Sequence, residues 1–174
     1  MRKLITLAVL LFVIVAAQGQ HSLKLHSYLS LNIDGPTAGV LTSNTGGLGL
    51  NLDVVADAGK KCSFFIQAGG DFFWGDKFYY IAPGGNHIEQ HYKVFNLFGG
   101  TKLNINSRAS VSLAAGPSFN TIFITSETNL AIKPALEFNF LKNRKLMARI
   151  SYTNIFRTEH SEAYVGLAAG YRLF

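Results

Sequence analysis

The sequence has a single cysteine and only a modest net charge, which argue against a disulfide-stabilised protein and against a nucleic-acid-binding protein. The single cysteine, Cys62, cannot form an internal disulfide, so an exported chain of this sequence must take its stability from other interactions. The formal net charge is +6, and the basic residues form no stripe, which argues against nucleic-acid binding. After the N-terminus, no segment reaches the roughly 18 consecutive apolar residues of a membrane-spanning helix.

The N-terminus predicts a cleaved secretory signal peptide. Met1-Arg2-Lys3 gives a basic start, an uncharged apolar run continues to Ala17, and small residues surround the predicted cleavage position. The uncharged run of about fourteen residues is shorter than the ~20 residues that a permanent helical anchor needs. Residues 1–19 are therefore predicted to be the signal, with cleavage after Ala17 or Gly19, and residues 20–174 to be one exported domain.

The exported domain contains eight stretches of about a dozen residues in which apolar and polar residues alternate with a period of two. In residues 44–56, for example, Leu48, Leu50 and Leu52 are apolar, and the residues between them are small or polar. Such alternation places the two sets on opposite faces of a β-strand. Pro117 cannot donate a ladder hydrogen bond, so a local break or bulge is expected there. The predicted strands cover residues 23–33, 44–56, 61–74, 91–105, 108–122, 128–141, 145–156 and 162–174.

The predicted connections alternate between the two ends of the sheet. An even number of strands brings both termini to one end, and outer-membrane barrels have short periplasmic turns and longer outer loops. With the N-terminus on the periplasmic side, the short inner turns lie near residues 57–60, 104–107 and 141–144. The outer connections lie near residues 34–44, 75–90, 123–127 and 157–161, and the first two are the long ones.

Residue size and aromatic placement indicate that the apolar face meets lipid. A soluble barrel of the lipocalin kind would turn its apolar face inward instead. Here the polar face is rich in glycine, serine, alanine and asparagine, which suit the narrow lumen of eight strands. Aromatic residues gather near both strand ends, as the two water–lipid boundaries require. They are Phe72, Trp74, Phe119, Tyr152 and Phe156 at the outer ends and Phe64, Phe138, Phe140 and Tyr171 at the inner ends.

Charged residues on the polar face predict a charge network inside the barrel. Unpaired charges there would each cost roughly several kcal/mol in desolvation, so acids and bases are expected to pair. Because side chains can fill the interior of eight strands, the expected result is a plugged lumen and no general pore. The predicted network consists of Asp53, Asp71, Lys102, Lys133, Glu137, Arg149 and Arg172.

With these features the chain resembles the small eight-stranded outer-membrane barrels, the type of the OmpX and OmpA transmembrane domains. Residues 170–174 resemble their C-terminal assembly signal, which usually ends in Phe. Phe174 shares parity with Arg172 and the lumen face, whereas family members turn this Phe to lipid. Either the register shifts at the end, or Tyr171 and Leu173 carry the signal.

The resemblance implies a closed antiparallel eight-stranded transmembrane β-barrel, an up-and-down meander, in the outer membrane of a Gram-negative bacterium. It also implies insertion by the barrel assembly machinery and contact with outer-membrane lipid. It implies no single activity, because such barrels include adhesion, structural and enzyme members.

Metal and phosphate sites are not predicted. His87 and His91 flank Glu89, but metal binding by histidines four residues apart needs a helix, which the nearby Pro83-Gly84-Gly85 disfavours. The glycines of residues 46–49 precede a strand with no helix after it, so they do not predict a phosphate cradle. No cofactor is expected.

Two histidine–serine pairs have the residue types of a base and a nucleophile. His160 and Ser161 are adjacent, and adjacent strand residues point to opposite faces. A lipid A deacylase of the small-barrel kind also uses His and Ser, within a fuller motif that this chain lacks. His26 and Ser30 share the lumen face and are interpreted as polar filling. No catalytic residue is predicted.

The predicted role is structural or binding, through the outer connections. Phe78, Tyr79 and Tyr80 in the second outer connection are the candidate contacts for an extracellular ligand or protein. Acidic residues there would attract cations or basic partners, and two other functions remain as alternatives: a lipid-modifying outer-membrane enzyme and a soluble exported barrel that binds an apolar ligand. The acids are Asp34, Asp76, Glu89, Glu127, Glu159 and Glu162.

Overall fold

Eight antiparallel strands close into a barrel in the order in which they follow one another along the chain. They are β1 (Lys24–Ala38), β2 (Asn44–Asp57), β3 (Cys62–Gly75), β4 (Tyr92–Asn104), β5 (Ala109–Ile122), β6 (Thr125–Asn139), β7 (Leu146–Phe156) and β8 (Ser161–Arg172). We call the end where β1 begins and β8 finishes the termini end, and the opposite one the far end.

The computed structural model describes residues 24–39, 44–59, 61–75, 91–122, 125–140, 145–158 and 161–174. Within those ranges, no helix is long and apolar enough to cross a membrane. The predicted signal peptide, residues 1–19, lies outside the described residues, and so do the candidate contacts Phe78, Tyr79 and Tyr80.

Closure of the barrel pairs the first strand with the last. Every strand pairs with its neighbours along the chain, and β1 also pairs with β8. Past the end of β8, Leu173 N donates to Ser27 O (2.9 Å) and Ser27 N donates to Phe174 O (3.3 Å), which extends this seam. A sheet that spans a bilayer needs such closure, because no water satisfies backbone groups in the hydrocarbon.

Large apolar side chains face outward, and polar side chains face inward. On β2, Leu48, Leu50 and Leu52 are exposed, whereas Asn51 and Asp53 between them are buried. The other strands show the same inversion of the burial found in soluble proteins. The structure confirms the predicted closed transmembrane barrel. It argues against the soluble barrel with an apolar cavity, whose greasy face would point inward.

The predicted aromatic girdles lie on the outward face. Toward the far end, Trp74, Phe119, Tyr152 and Phe156 are exposed and Phe72 is half-buried; toward the termini end, Phe138, Phe140 and Tyr171 are exposed and Phe64 is half-buried. At the end of the seam, Tyr171, Leu173 and Phe174 are all exposed. β8 ends at Arg172, so Phe174 lies beyond the strand, and the alternation that would place it on the lumen face does not apply to it.

The turn between β2 and β3, predicted near residues 57–60, depends on Gly59. Its φ of 96° lies in the left-handed region, which side chains with a Cβ atom rarely adopt. Ala58 N donates to Cys62 O (2.9 Å) and closes the turn. The glycine thus allows two long strands to meet through very few residues.

The prediction for the end of β1 is wrong. An outer connection was expected from Asp34, but the strand continues to Ala38 and the Asp34 side chain is buried. β2 pairs with β1 no further than Asp34, and beyond it β1 pairs with β8 alone. Pro36 therefore needs no N–H toward β2, and its turn-forming tendency does not end the strand. The connection predicted for residues 123–127 is also too long, because β6 begins at Thr125.

Pro117 interrupts pairing on one side of β5 without shifting the register. Between Asn96↔Ser118 and Gly99↔Ala115, two positions of the β4–β5 ladder are unpaired, and the register is the same on both sides of this gap. Pro117 itself pairs with Leu130 of β6. The expected break is present, and the alternative of a bulge is not.

Replacing Leu50 by arginine tests the facing of the strands. Leu50 lies on the outward face of β2, where it pairs with Leu31 and Gly70. We expect Leu50→Arg to lower the free energy of unfolding in lipid vesicles by about 2–4 kcal/mol, the cost of a cation near the bilayer midplane. Denaturant titration followed by heat-modifiable gel mobility measures this. Leu50→Met is the control, and equal stability of the two variants would contradict the assigned facing.

Candidate functional site

A network of ion pairs crosses the barrel interior at Arg149. This residue of β7 is buried, and its guanidinium donates to Asp53 Oδ2 of β2 (Nη2 to oxygen, 2.5 Å) and to Glu137 Oε1 of β6 (Nε to oxygen, 3.1 Å). Lys102 of β4 forms an ion pair with the other oxygen of Glu137. Gln67 of β3 donates to Asp53 Oδ1 at 2.5 Å. Side chains from five strands thus meet around two carboxylates.

Asp71 belongs to a second cluster, next to the buried Asp34 carboxyl. Its carboxylate accepts hydrogen bonds from the Tyr164 hydroxyl (2.7 Å), from Asn32 Nδ2 (3.2 Å) and from Asn96 Nδ2 (3.3 Å). Asn96 Nδ2 also donates to the Tyr164 oxygen at 3.0 Å. Three neutral donors from β1, β4 and β8 therefore hold a carboxylate of β3. Such bonds to a charged acceptor are stronger than bonds between neutral groups.

Lys133 and Arg172 do not join the Arg149 network. Lys133 is buried with its Nζ 5.9 Å from the centroid of the Phe98 ring, and it forms no ion pair within 4 Å with a described residue. The ring offers its negative face to the ammonium. Of the seven residues predicted to share the network, direct contacts join Asp53, Lys102, Glu137 and Arg149. Asp71 and Arg172 belong to other clusters, and Lys133 interacts electrostatically with Asp53 and Asp71 without a direct ion pair.

Arg172 takes part in a separate chain of contacts at the termini end. Its Nη2 donates to His26 Nδ1 (2.5 Å), so the proton of the neutral imidazole lies on Nε2, which donates to Asp57 Oδ2 (2.8 Å). Ser63 Oγ donates to Asp57 Oδ1 (2.8 Å). Serine, histidine and aspartate meet here, but the serine proton goes to the aspartate. Ser30, the predicted companion of His26, is buried elsewhere on β1.

A third cluster lies at the far end around Glu162. Its fully buried carboxylate accepts hydrogen bonds from the Tyr92 hydroxyl and from Arg157, and Arg157 also pairs with Glu127. The sequence predicts Glu162 in a solvated acidic connection. That prediction is wrong, because Glu162 is the second residue of β8 and its side chain points into the barrel. Asp34 is likewise buried, so the predicted acidic outer surface loses two of its members.

The remaining candidates for chemistry are only partly described. Ser161 is exposed at the start of β8, and its predicted partner His160 lies outside the described residues. His91 is half-buried with its ring centroid 5.1 Å from that of Phe72, while His87 and Glu89 also lie outside the described residues. Among the described residues, no group of three His, Cys, Asp or Glu side chains is placed to hold a metal ion.

Aromatic side chains also lie in the interior, on the face for which the sequence predicts mainly small and polar residues. Toward the far end, the Phe73 ring contacts the rings of Tyr164 (centroids 5.1 Å apart) and Tyr92 (6.2 Å). Toward the termini end, Lys102 Nζ lies 5.7 Å from the Tyr28 centroid and 6.0 Å from the Phe65 centroid. Strand parity carried the signal, because Phe65 and Phe73 share parity with the buried Gln67 and Asp71 of the same strand.

Inward-facing glycines make room for large polar side chains in the interior. Gly49 pairs with Asp71 across the β2–β3 ladder, and a Cβ atom at Gly49 would overlap with the Asp71 carboxylate. Two positions further along the same ladder, Asn51 pairs with Gly69, and a Cβ atom at Gly69 would overlap with the Asn51 amide. A large polar side chain thus occupies the space that its glycine partner leaves.

The fold and its inverted burial are those of the small eight-stranded outer-membrane barrels, which confirms the resemblance seen in the sequence. The predicted outer-membrane location agrees with this fold. No protein-family model and no curated protein matches the chain.

Solved structures of this class match nearly the whole chain. Ail of Yersinia pestis, solved in complex with the heparin analogue sucrose octasulfate, has 17% identity and a TM-score of 0.60, with 88% of this chain and 100% of that chain covered. The N-terminal barrel domain of Pseudomonas aeruginosa OprF has 9% identity and a TM-score of 0.54, with 87% and 100% covered. Neisserial surface protein A has 13% identity and a TM-score of 0.54, with 87% and 98% covered.

Replacing Arg149 by methionine tests whether the network stabilises the barrel. The change leaves Asp53 and Glu137 buried with their main cation removed, and breaking a buried pair in this way costs about 3–5 kcal/mol. Urea titration of the protein in lipid vesicles should show a loss of that size. Arg108→Met, at an exposed turn, removes the same charge and should change stability little. Equal losses in both variants would contradict a structural role for the network.

Proposed function

We propose that the protein is an outer-membrane barrel with a closed polar lumen, which serves as a structural or binding scaffold and not as a general pore. The observation that carries this proposal is the ion-paired crossing of the interior, from Asp53 on β2 through Arg149 on β7 to Glu137 on β6. The scaffold would present its far-end connections to the outside of the cell.

Buried side chains at three levels support a closed lumen. Near the far end, Phe73, Tyr92 and Tyr164 pack against one another. In the middle, the Arg149 contacts reach from one wall to another. Near the termini end, the Lys102 ammonium lies between the rings of Tyr28 and Phe65. An eight-stranded barrel has an interior just wide enough for side chains to fill, so these layers would block the passage of solutes.

Membrane lipid is the partner that the outward face supports most directly. Its exposed leucines and aromatic girdles match a hydrocarbon core between two interfaces. The same proposal includes export by the predicted signal, a Gram-negative host and insertion by the barrel assembly machinery. The exposed Tyr171, Leu173 and Phe174 at the end of the seam are the residues that this machinery would recognise.

Binding outside the cell would use the second outer connection, with Phe78, Tyr79 and Tyr80 as contacts. Among the structural neighbours, Ail was solved with a heparin analogue, so one barrel of this fold binds a sulfated polysaccharide mimic. For this chain we propose that the partner is likewise an extracellular macromolecule, either a polysaccharide ligand or a protein, met at the cell surface.

The proposal also holds that the protein is not an enzyme. The His26–Asp57–Ser63 contacts come nearest to a nucleophile and its base, yet Ser63 donates to Asp57 and leaves His26 bonded to Arg172. A general base must accept the proton of the nucleophile, so this arrangement does not activate the serine.

Planar-bilayer recordings test the closed lumen. The purified protein should give no stable conductance, because buried ion pairs and rings obstruct its interior. A porin inserted under the same conditions is the positive control for insertion and recording. A stable, large conductance from this protein would overturn the closed-lumen proposal.

Cells with and without the gene separate the scaffold from the alternative of a lipid-modifying enzyme. Loss of the gene should reduce adhesion to immobilised polysaccharide or protein matrices and leave the masses of lipid A unchanged. Cells that carry the Phe78→Ser, Tyr79→Ser and Tyr80→Ser variant should also lose adhesion while the barrel keeps its heat-modifiable mobility. A gene-dependent change in lipid A mass would instead favour the enzyme, and unchanged adhesion would contradict the binding role.

A further inference from the structure

A groove of about 350 Å³ runs over the outward face of β3, β4 and β5, near the far end. It is lined by Gly70 and Phe72 of β3, Lys93 and Phe95 of β4, and Phe119 and Thr121 of β5. The pairing of the strands arranges these residues in two rows: Phe72, Lys93 and Thr121 toward the far end, and Gly70, Phe95 and Phe119 toward the middle of the barrel.

The row toward the middle of the barrel gives the groove an apolar floor and wall. Gly70 has no side chain, and a Cβ atom there would meet only Val94 O at 3.8 Å and Phe95 Cδ2 at 4.0 Å, which is ordinary contact distance. The rings of Phe95 and Phe119 stand beside it with centroids 6.1 Å apart. An open floor bounded by aromatic rings, on the face that meets hydrocarbon, suits an extended alkyl chain.

The row toward the far end adds a positive charge. Lys93 is the second residue of β4, and among the outward positions of the described strands it alone is charged. Its Nζ lies 6.0 Å from the centroid of the Phe72 ring, and no described carboxylate lies within 4 Å of it. A lysine stem can lie along apolar surface while its ammonium reaches the membrane interface. The charge therefore lies where lipid headgroups begin, without a partner from the described chain.

We propose that this groove binds one phosphate-bearing membrane lipid, with an acyl chain over Gly70 between the phenylalanine rings and the phosphate against the Lys93 ammonium. Charge complementarity selects this occupant, because basic positions at the membrane surface attract anionic headgroups. A second copy of the chain packed symmetrically on this face would bring two Lys93 ammonium groups together. This makes a protein partner of that kind unfavourable.

Native mass spectrometry of the refolded full chain, with phosphatidylglycerol as the probe, tests the site. The wild-type protein should retain one phosphatidylglycerol and should not retain a diacylglycerol with the same acyl chains, which lacks the phosphate. Lys93→Gln should weaken retention about fivefold, the effect of one basic residue at a membrane surface. Gly70→Leu should also weaken it, because the added side chain fills the floor of the groove.

Two matched controls make the test specific. Lys24→Gln removes a positive charge at the termini end, and Gly99→Leu adds the same side chain to β4 at an outward position where a Cβ atom meets nothing within 4 Å. Both should retain the lipid as the wild type does. If Gly70→Leu fails to fold, as judged by heat-modifiable mobility, Gly70→Ala replaces it.

Three results would overturn the proposal. Equal retention in Lys93→Gln and the wild type would remove the phosphate contact. Equal losses in Lys93→Gln and Lys24→Gln would indicate diffuse attraction to the whole barrel. A dimer whose contact is broken by Gly70→Leu and that carries no lipid would assign the face to a second copy of the chain.

Discussion

Arg149 and the carboxylates of Asp53 and Glu137 impose the constraint on which the rest of the barrel depends. A barrel with its apolar residues outside must hold its polar residues inside, and a buried charge with no partner is far costlier than one that is paired and hydrogen-bonded. The guanidinium reaches two carboxylates on different strands, and Lys102 balances the second of them. The apolar face can therefore face lipid because this central group of interior charges is paired and hydrogen-bonded.

Strand positions and facing could be predicted, because both follow from local alternation. The parity of Asp53, Glu137 and Arg149 is visible within a few residues of sequence. The contact between Asp53 and Arg149 is different, since 96 residues separate them and their approach depends on how closure staggers the strands around the barrel. For the same reason Arg172 could be assigned to the lumen by its parity, whereas its contact with His26 could not be predicted.

Turn chemistry was the weaker guide. Asp34, Gly35 and Pro36 have the composition of a turn, yet the β1–β8 seam extends the strand through them and buries Asp34. Glu162 was expected in solvent because it follows a predicted connection, and the nearby Arg157 and Tyr92 satisfy its carboxylate inside the barrel. In both places long-range pairing outweighs local preference. The interior aromatic rings show a further limit of prediction from alternation. An apolar residue on the lumen face interrupts the alternation of apolar and polar residues without ending the strand.

The glycine–polar pairs of β2 and β3 have a consequence for how precisely the sheet is aligned. Alternation distinguishes the two faces of a strand, but it does not penalise a slip of two residues, which leaves every side chain on its proper face. In the native alignment, Gly49 lies opposite Asp71 and Gly69 lies opposite Asn51. A two-residue slip would crowd Asn51 against Asp71 in one direction and leave two glycines facing each other over a void in the other. These four residues therefore select one register of β2 against β3 among those that the hydrophobic pattern allows equally.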